Sequence, residues 1–194
     1  MTKFILVGGY PHKALDGGRT FLEELVKGFN QPVRVLVCLF ARPREDWEKA
    51  FNQDKDFYTK YLHNIKFVLT LADPDNFIEQ IENSDAIYIR GGDTRLLMSV
   101  LQKTGDWVSK LKGKTVAGSS AGADLFAKYF YDLDYLEFGE GLGLLPVKTL
   151  VHFGSDYNSP NIHWEHVHKI LKEYKEDLEI LKLSEGGFKV INKE

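Results

Sequence analysis

The stretch TVAGSSAGADLFAKYF, Thr115–Phe130, decides how the rest of the chain is read. A short apolar segment, TVAG, runs through Gly118-Ser119-Ser120-Ala121-Gly122 into a segment with helical spacing. Gly-x-Ser-x-Gly at a strand-to-helix junction is the pattern that holds a nucleophile on a tight turn above a sheet. The flanking glycines permit close packing of strand on helix, and a helix starting at Ala121 aims backbone N–H groups at Ser120. From this motif alone, a plain small-residue turn or an anion-binding loop reads the same way.

Outward from the motif, short apolar runs alternate with amphipathic ones. Lys3–Val7, Arg34–Phe40, Ile65–Leu69, Ala86–Arg90 and Thr115–Gly118 read as strands. Each is apolar almost throughout, as expected when helices cover both faces of a parallel sheet. Arg19–Phe29, Arg44–Leu62, Pro74–Asn83, Thr94–Gln102 and Ala121–Tyr129 read as the intervening helices. This succession predicts an α/β three-layer sandwich with a mostly parallel, doubly wound central sheet. Beyond Tyr131 the rhythm changes. An aromatic and acidic stretch to Phe138 leads to a strand over Thr149–Phe153 and a helix from Ile162 to about Tyr174. Leu178–Leu183 and Phe188–Ile191, either side of Glu185-Gly186-Gly187, then predict a C-terminal hairpin.

The 194 residues suit one domain, residues 1–194, with a sizeable core. Hydrophobic residues make up 43% and charged ones 27%, with a net charge of −3, so nothing points to nucleic acid or an anionic membrane. No apolar run approaches the ~18 residues of a membrane span. Met1–Gly8 lacks the basic and long apolar regions of a signal peptide, which predicts a cytoplasmic location. The single cysteine, Cys38, lies in the apolar run VRVLVCLF and reads as a buried structural thiol.

A serine becomes a nucleophile only when a base takes its proton. Of the six histidines, His163, His166 and His168 lie on or beside one polar helix and read as surface residues rather than a metal site. His12 follows an N-terminal loop and His63 ends a helix. His152 alone closes a strand downstream of Ser120, where a sheet-edge base would stand, although a structural histidine is compatible with that position. A second glycine junction, Arg90-Gly91-Gly92-Asp93-Thr94, exposes N–H groups that could hold an oxyanion. The alternative is a tight turn in which Asp93 or Thr94 caps the next helix.

Taken together, Arg90-Gly91-Gly92-Asp93-Thr94, Gly118-Ser119-Ser120-Ala121-Gly122-Ala123, and Gly141-Leu142-Gly143-Leu144-Leu145-Pro146 leading to His152-Phe153 resemble the peptidase E and cyanophycinase family of serine peptidases. That family has a class I glutamine amidotransferase-like fold, and the likeness runs from Gly8-Gly9 through His152. It implies Ser120 as nucleophile, His152 as base, and the N–H groups of Gly92 and Ala121 as the oxyanion hole. The third member is implied on the loop between serine and histidine, with Asp134 foremost and Asp132, Glu137 and Glu140 as alternatives. Asp93 and Arg90 are the implied substrate-binding residues, and no cofactor or metal is implied.

The resemblance also implies an arginine for an N-terminal aspartate, expected downstream of the histidine. Here every arginine precedes the elbow, with Arg90 and Arg42 nearest to strand ends, so a weakened or altered Asp-X preference is expected. The expected function is a serine exopeptidase acting on short peptides. A non-catalytic ligand-binding or regulatory member of the fold and a small carboxylesterase are the alternatives. Glutamine amidotransferase activity is disfavoured, because that chemistry uses a cysteine at the elbow. The oligomeric state is left open, a homodimer being one option.

Overall fold

The computed structural model describes residues 1–157 and 162–194. Strands β1 (Thr2–Val7), β2 (Val33–Cys38), β3 (Phe67–Leu71), β4 (Ala86–Ile89) and β5 (Thr115–Ser119) form the parallel part of a six-stranded sheet. Its order is β10-β1-β5-β4-β2-β3, with β10 (Phe188–Lys193) antiparallel to β1. The apolar runs are explained by burial on both faces. Phe4 and Leu6 of β1, with Ile87 and Ile89 of β4, join one hydrophobic cluster. Ile5 and Val7, with Ala86 and Tyr88, join the cluster on the opposite face. Side-chain alternation along a strand makes every residue a core residue when both faces are covered. Helix α1 (Arg19–Val26) and the second half of α2 (Trp47–Tyr61) cover one face. Helices α3 (Phe77–Glu82), α4 (Thr94–Leu101) and α5 (Ala121–Phe126) cover the other. Cys38 is fully buried, and burial pushes its thiol up to about 12. No helix among the described residues is long and apolar enough to cross a membrane.

A second sheet has the order β7-β6-β8-β9, built from β6 (Tyr129–Asp132), β7 (Glu137–Glu140), β8 (Val147–Leu150) and β9 (Glu179–Lys182). Helix α5 stops at Phe126 rather than running on to Tyr129. Ala127 is extended, and the aromatic run Tyr129-Phe130-Tyr131 pairs with β7 and β8 instead. Helix α6 (Trp164–Glu173) packs on this sheet through Val167 and Leu171. Its C-terminal end is fixed by the buried amine of Lys148, which donates to the carbonyls of Leu171, Lys172 and Tyr174 at 2.6–3.1 Å. The two sheets share one hydrophobic cluster, which runs from Phe4 and Phe126 to Leu145, Val147 and Leu181.

The expected C-terminal hairpin is not formed. Strand β9 pairs in parallel with β8, whereas β10 crosses to the first sheet and pairs with β1. Leu181 and Leu183 bury in the cluster between the sheets, while Phe188 and Val190 pack on the other face of β1, so burial separates the two strands. The intervening Glu185-Gly186-Gly187 bonds across to the end of β1. Gly8 N donates to Gly187 O at 3.0 Å, and Gly186 N donates to Gly9 O at 2.8 Å.

A side chain at Gly8 would meet the carbonyl oxygens of Leu183 and Ser184, which are backbone and cannot move aside cheaply. Gly8→Ala is therefore expected to destabilise the fold by about 2 kcal/mol or more. In a chain of this length that loss corresponds to a fall in Tm of roughly 5 °C or more by calorimetry.

Candidate active site

In the first sheet β5 lies between β1 and β4, so the loops after these three strands meet at one edge. That edge, beyond the C-terminal ends of parallel strands, is where open α/β sheets place ligands. Ser120 sits there with φ 51° and ψ −113°, a conformation that strains any residue with a side chain. The strain is held from three sides. Ser120 N donates to Val7 O at 2.9 Å, and Ser120 O accepts from Ala123 N and Asp124 N at 2.7 and 3.0 Å. A Cβ on Gly118 would collide with Gly122 O, and one on Gly122 with Ile89 O, so only glycines let α5 close onto the sheet.

The second sheet supplies the partner of Ser120. His152 lies two residues past β8 and Glu185 three residues past β9, and these strands are parallel neighbours. Their C-terminal loops therefore emerge side by side, facing the end of β1. His152 N donates to Gly8 O at 2.8 Å, which fixes the left-handed backbone of His152 (φ 54°). Its Nε2 lies 3.0 Å from Ser120 Oγ and its Nδ1 lies 2.9 Å from Glu185 Oε1. Helix α5 is tied to β8 by a buried hydrogen bond, Thr149 Oγ1 donating to Asp124 Oδ1 at 2.6 Å, which connects the serine's helix with the histidine's strand.

The acid on Nδ1 is thus Glu185, not the expected Asp134. Asp134 is exposed on the β6–β7 turn and acts on His152 only as a neighbouring negative charge. Asp132 Oδ1 accepts from the N–H groups of Asp134 and Tyr135, which shapes that turn. Glu137 pairs with Arg95, and Glu140 pairs with Lys175. A signal for Glu185 was present in the chain. Val7-Gly8-Gly9, Arg90-Gly91-Gly92 and Glu185-Gly186-Gly187 each put paired glycines just after an apolar run, and all three converge here.

His152 is 2% exposed, stacked on Tyr157 at 3.8 Å between ring centroids and edge-on to Tyr10 at 5.4 Å. That burial lowers the imidazole pKa below 6.5, and the Glu185 carboxylate only partly restores it. The ring is consequently neutral at pH 7. Burial by itself would raise the Glu185 carboxyl. Hydrogen bonds from Lys13 and His152 outweigh that effect and hold it below its ordinary value. The result is an ionised acid, a neutral base and a serine in one hydrogen-bonded line.

Ser120 and His152 border a cavity of about 400 Å³, walled by Tyr10, Tyr157, Tyr88, Phe57, Arg42 and Arg90. Gly92 also lines it, while Ala121 heads α5. Neither the Gly92 nor the Ala121 N–H has an acceptor among the described residues. Of the expected substrate-binding pair, Arg90 lines the cavity, with its guanidinium turned to Asp54 (3.1 Å) and Ala50 O (3.3 Å). Asp93 does not line it. Its Oδ1 caps α4 by accepting from Leu96 N, and its Oδ2 accepts from the Tyr135 hydroxyl. His163, His166 and His168 are not among any metal-ligating group of the described residues.

Residues 10–194 match the model of peptidase family S51. The chain belongs to this family. It is accordingly a serine-type peptidase, a hydrolase. Several solved structures share the fold. One is a peptidase from an acI-B1 Actinobacterium, 20% identical with a TM-score of 0.64, the match covering 100% of this chain and 88% of that one. Another is a peptidase E candidate from Listeria monocytogenes EGD-e, 19% identical with a TM-score of 0.63, covering 93% and 90%. No curated protein matches the sequence.

Two outcomes are expected of this peptidase. A Cβ at Gly9, where φ is +113°, would be driven into the imidazole of His152. Gly9→Ala should therefore displace the ring, and a 1 Å misplacement can cost about 10²-fold in turnover. Wild-type turnover from the variant would contradict that packing. In the pH profile of kcat/KM, protonation of His152 removes the base, so activity falls as pH falls. Because burial depresses this pKa, the acid limb should have its midpoint below 6.5.

Proposed function

We propose that this peptidase is a dipeptidase-like serine exopeptidase, acting on short peptides through an acyl-enzyme on Ser120. The observation that carries this reading is the 3.0 Å contact between Ser120 Oγ and His152 Nε2, made by a serine in a strained backbone conformation. Ser120 Oγ attacks the scissile carbonyl carbon as its proton passes to His152 Nε2. The oxyanion is received by the N–H groups of Gly92 and Ala121. Glu185 keeps the Nδ1 proton in place and stabilises the imidazolium. His152 then gives its proton to the departing amine, the C–N bond breaks, and an ester on Ser120 remains. His152 next takes a proton from water, whose oxygen attacks the ester; the C–Oγ bond breaks, and the proton passes from Nε2 to Ser120 Oγ as the acid is released.

The exopeptidase reading rests on the walls of the cavity. Tyr10, Pro11 and His12, with the Tyr157 ring 6.4 Å from that of Tyr10, help to wall in about 400 Å³, room for a short peptide end rather than a continuous chain.

A fluorophosphonate probe followed by peptide mapping tests the mechanism, and unblocked against N-acetylated dipeptides test the exopeptidase reading. The label should map to Ser120. Ser120→Ala should lose labelling and at least about 10⁴-fold in turnover, with its Tm unchanged. N-acetylation should slow hydrolysis by tenfold or more. Labelling at Ser119, or equal rates on blocked and free dipeptides, would contradict the respective reading.

A further inference from the structure

Behind Ser120 the cavity reaches helix α2, where Asp54 lines it with only 3% of its surface exposed. Asp54 Oδ1 is engaged by Arg90 Nη1 at 3.1 Å, and Arg90 also donates to Ala50 O. Asp54 Oδ2 is buried and has no hydrogen-bond partner among the described residues. The same is true of the hydroxyl of Tyr58, one turn further along the same helix face. Arg42, on the cavity wall, uses Nε to donate to Gly91 O at 3.1 Å, and its remaining N–H groups have no acceptor among the described residues. Leaving a buried acceptor of this kind unsatisfied is costly. Asp54 thus stands at the floor of the cavity with one buried, unpaired carboxylate oxygen, and Arg42 lines it with one open guanidinium face.

Building on the exopeptidase reading, we propose that this pocket takes the side chain of the substrate's N-terminal residue and selects a neutral hydrogen-bond donor, a carboxamide foremost. Asp54 Oδ2 accepts from the amide N–H₂, and Arg42 donates to the amide oxygen. Both halves of an N-terminal Asn or Gln are matched in this way. A carboxylate side chain would find Arg42 as a partner but would also place a second negative charge against Asp54 Oδ2, while Arg90 is already occupied by Asp54 Oδ1. An aliphatic side chain would leave Oδ2 unpaired. A cationic one would meet two guanidinium groups against one carboxylate. The internal carboxylate of Asp54 therefore stands where an acidic side chain would otherwise pair with Arg90. Asp54 itself is pushed up to about 6 by burial, against the opposing pull of Arg90 and Arg42, so it is largely ionised at pH 7.5.

The test compares kcat/KM at pH 7.5 on Asn-Leu, Gln-Leu, Asp-Leu and Ala-Leu, for the wild type and for Asp54→Asn, with the melting temperature of each. The wild type should favour Asn-Leu or Gln-Leu over both Asp-Leu and Ala-Leu by tenfold or more. Asp54→Asn keeps the shape but offers a donor in place of the acceptor and removes a negative charge. It should move the Asp-Leu to Asn-Leu ratio at least tenfold toward Asp-Leu. A wild type that prefers Asp-Leu or Ala-Leu, or a folded Asp54→Asn with an unchanged ratio, would overturn the proposal and leave the peptidase mechanism standing. If Asp54→Asn does not fold, the wild-type series alone decides. Fluorophosphonate labelling of Ser120 without cleavage of any of the four dipeptides would overturn the exopeptidase reading, and this proposal with it.

Discussion

The end of strand β1 is the seam on which the rest of the site depends. Within three residues its backbone bonds to the loops that carry the serine, the histidine and the acid. Val7 O receives the N–H of Ser120, Gly8 O that of His152, and Gly9 O that of Gly186, next to Glu185, while Gly8 N reaches back to Gly187. These are main-chain bonds between groups that are costly to bury unpaired. Side-chain freedom therefore has little part in setting the three positions. Both glycines are needed because other groups occupy the space of a side chain: backbone carbonyls beside Gly8 and the imidazole beside Gly9. Two sheets, each with parallel strands ending at this seam, thereby bring a serine from one and a histidine–carboxylate pair from the other into one line.

The same closeness sets the protonation states. Packing the imidazole against Tyr10 and Tyr157 favours its neutral form, the form able to take a proton. Lys13, from the loop just after β1, bonds to the second oxygen of Glu185 and helps keep that carboxylate ionised. Burial alone would work against an ionised acid beside a neutral base. The hydrogen bonds to Glu185 make the difference, and one of them again comes from the N-terminal loop. The N-terminal 13 residues thus contribute the seam, one ring wall and a counter-cation, although none of them supplies a residue to the line itself.

Much of this was legible in the chain because strand-to-helix junctions carry local signals. Apolar runs of four to seven residues marked the parallel strands, and Gly118 to Gly122 marked the elbow. His152 stood out as the one histidine at the end of an expected strand downstream of Ser120, although β8 itself stops at Leu150. The acid was not legible in the same way. Asp134 was favoured on its place between serine and histidine. Glu185 lies 33 residues beyond His152, and only the parallel pairing of β8 with β9 brings it to Nδ1. A local pattern of two strands around Glu-Gly-Gly suggests a hairpin. Nothing local shows that their buried faces belong to different sheets. Asp93 was equally ambiguous, since an acid before a helix serves as well for capping as for binding, and here it caps. Asp54, in mid-helix among polar residues, gave no sign of lining a cavity. Its burial follows from the packing of α2 over the end of β4.

The central claim is that the acid completing the line is Glu185, placed there by the β1 seam. It is tested most directly by kcat/KM for Glu185→Gln and Asp134→Asn on one dipeptide at pH 7.5. Each change removes one negative charge from the neighbourhood of His152 and keeps the size of the side chain. If Glu185 holds the imidazole in its working tautomer, Glu185→Gln loses at least about 100-fold, as when the acid of a serine–histidine–acid line becomes an amide. Asp134→Asn then stays within about threefold of wild type, the small effect of removing an exposed charge. The opposite ranking, with Asp134→Asn crippled and Glu185→Gln near wild type, would contradict the account.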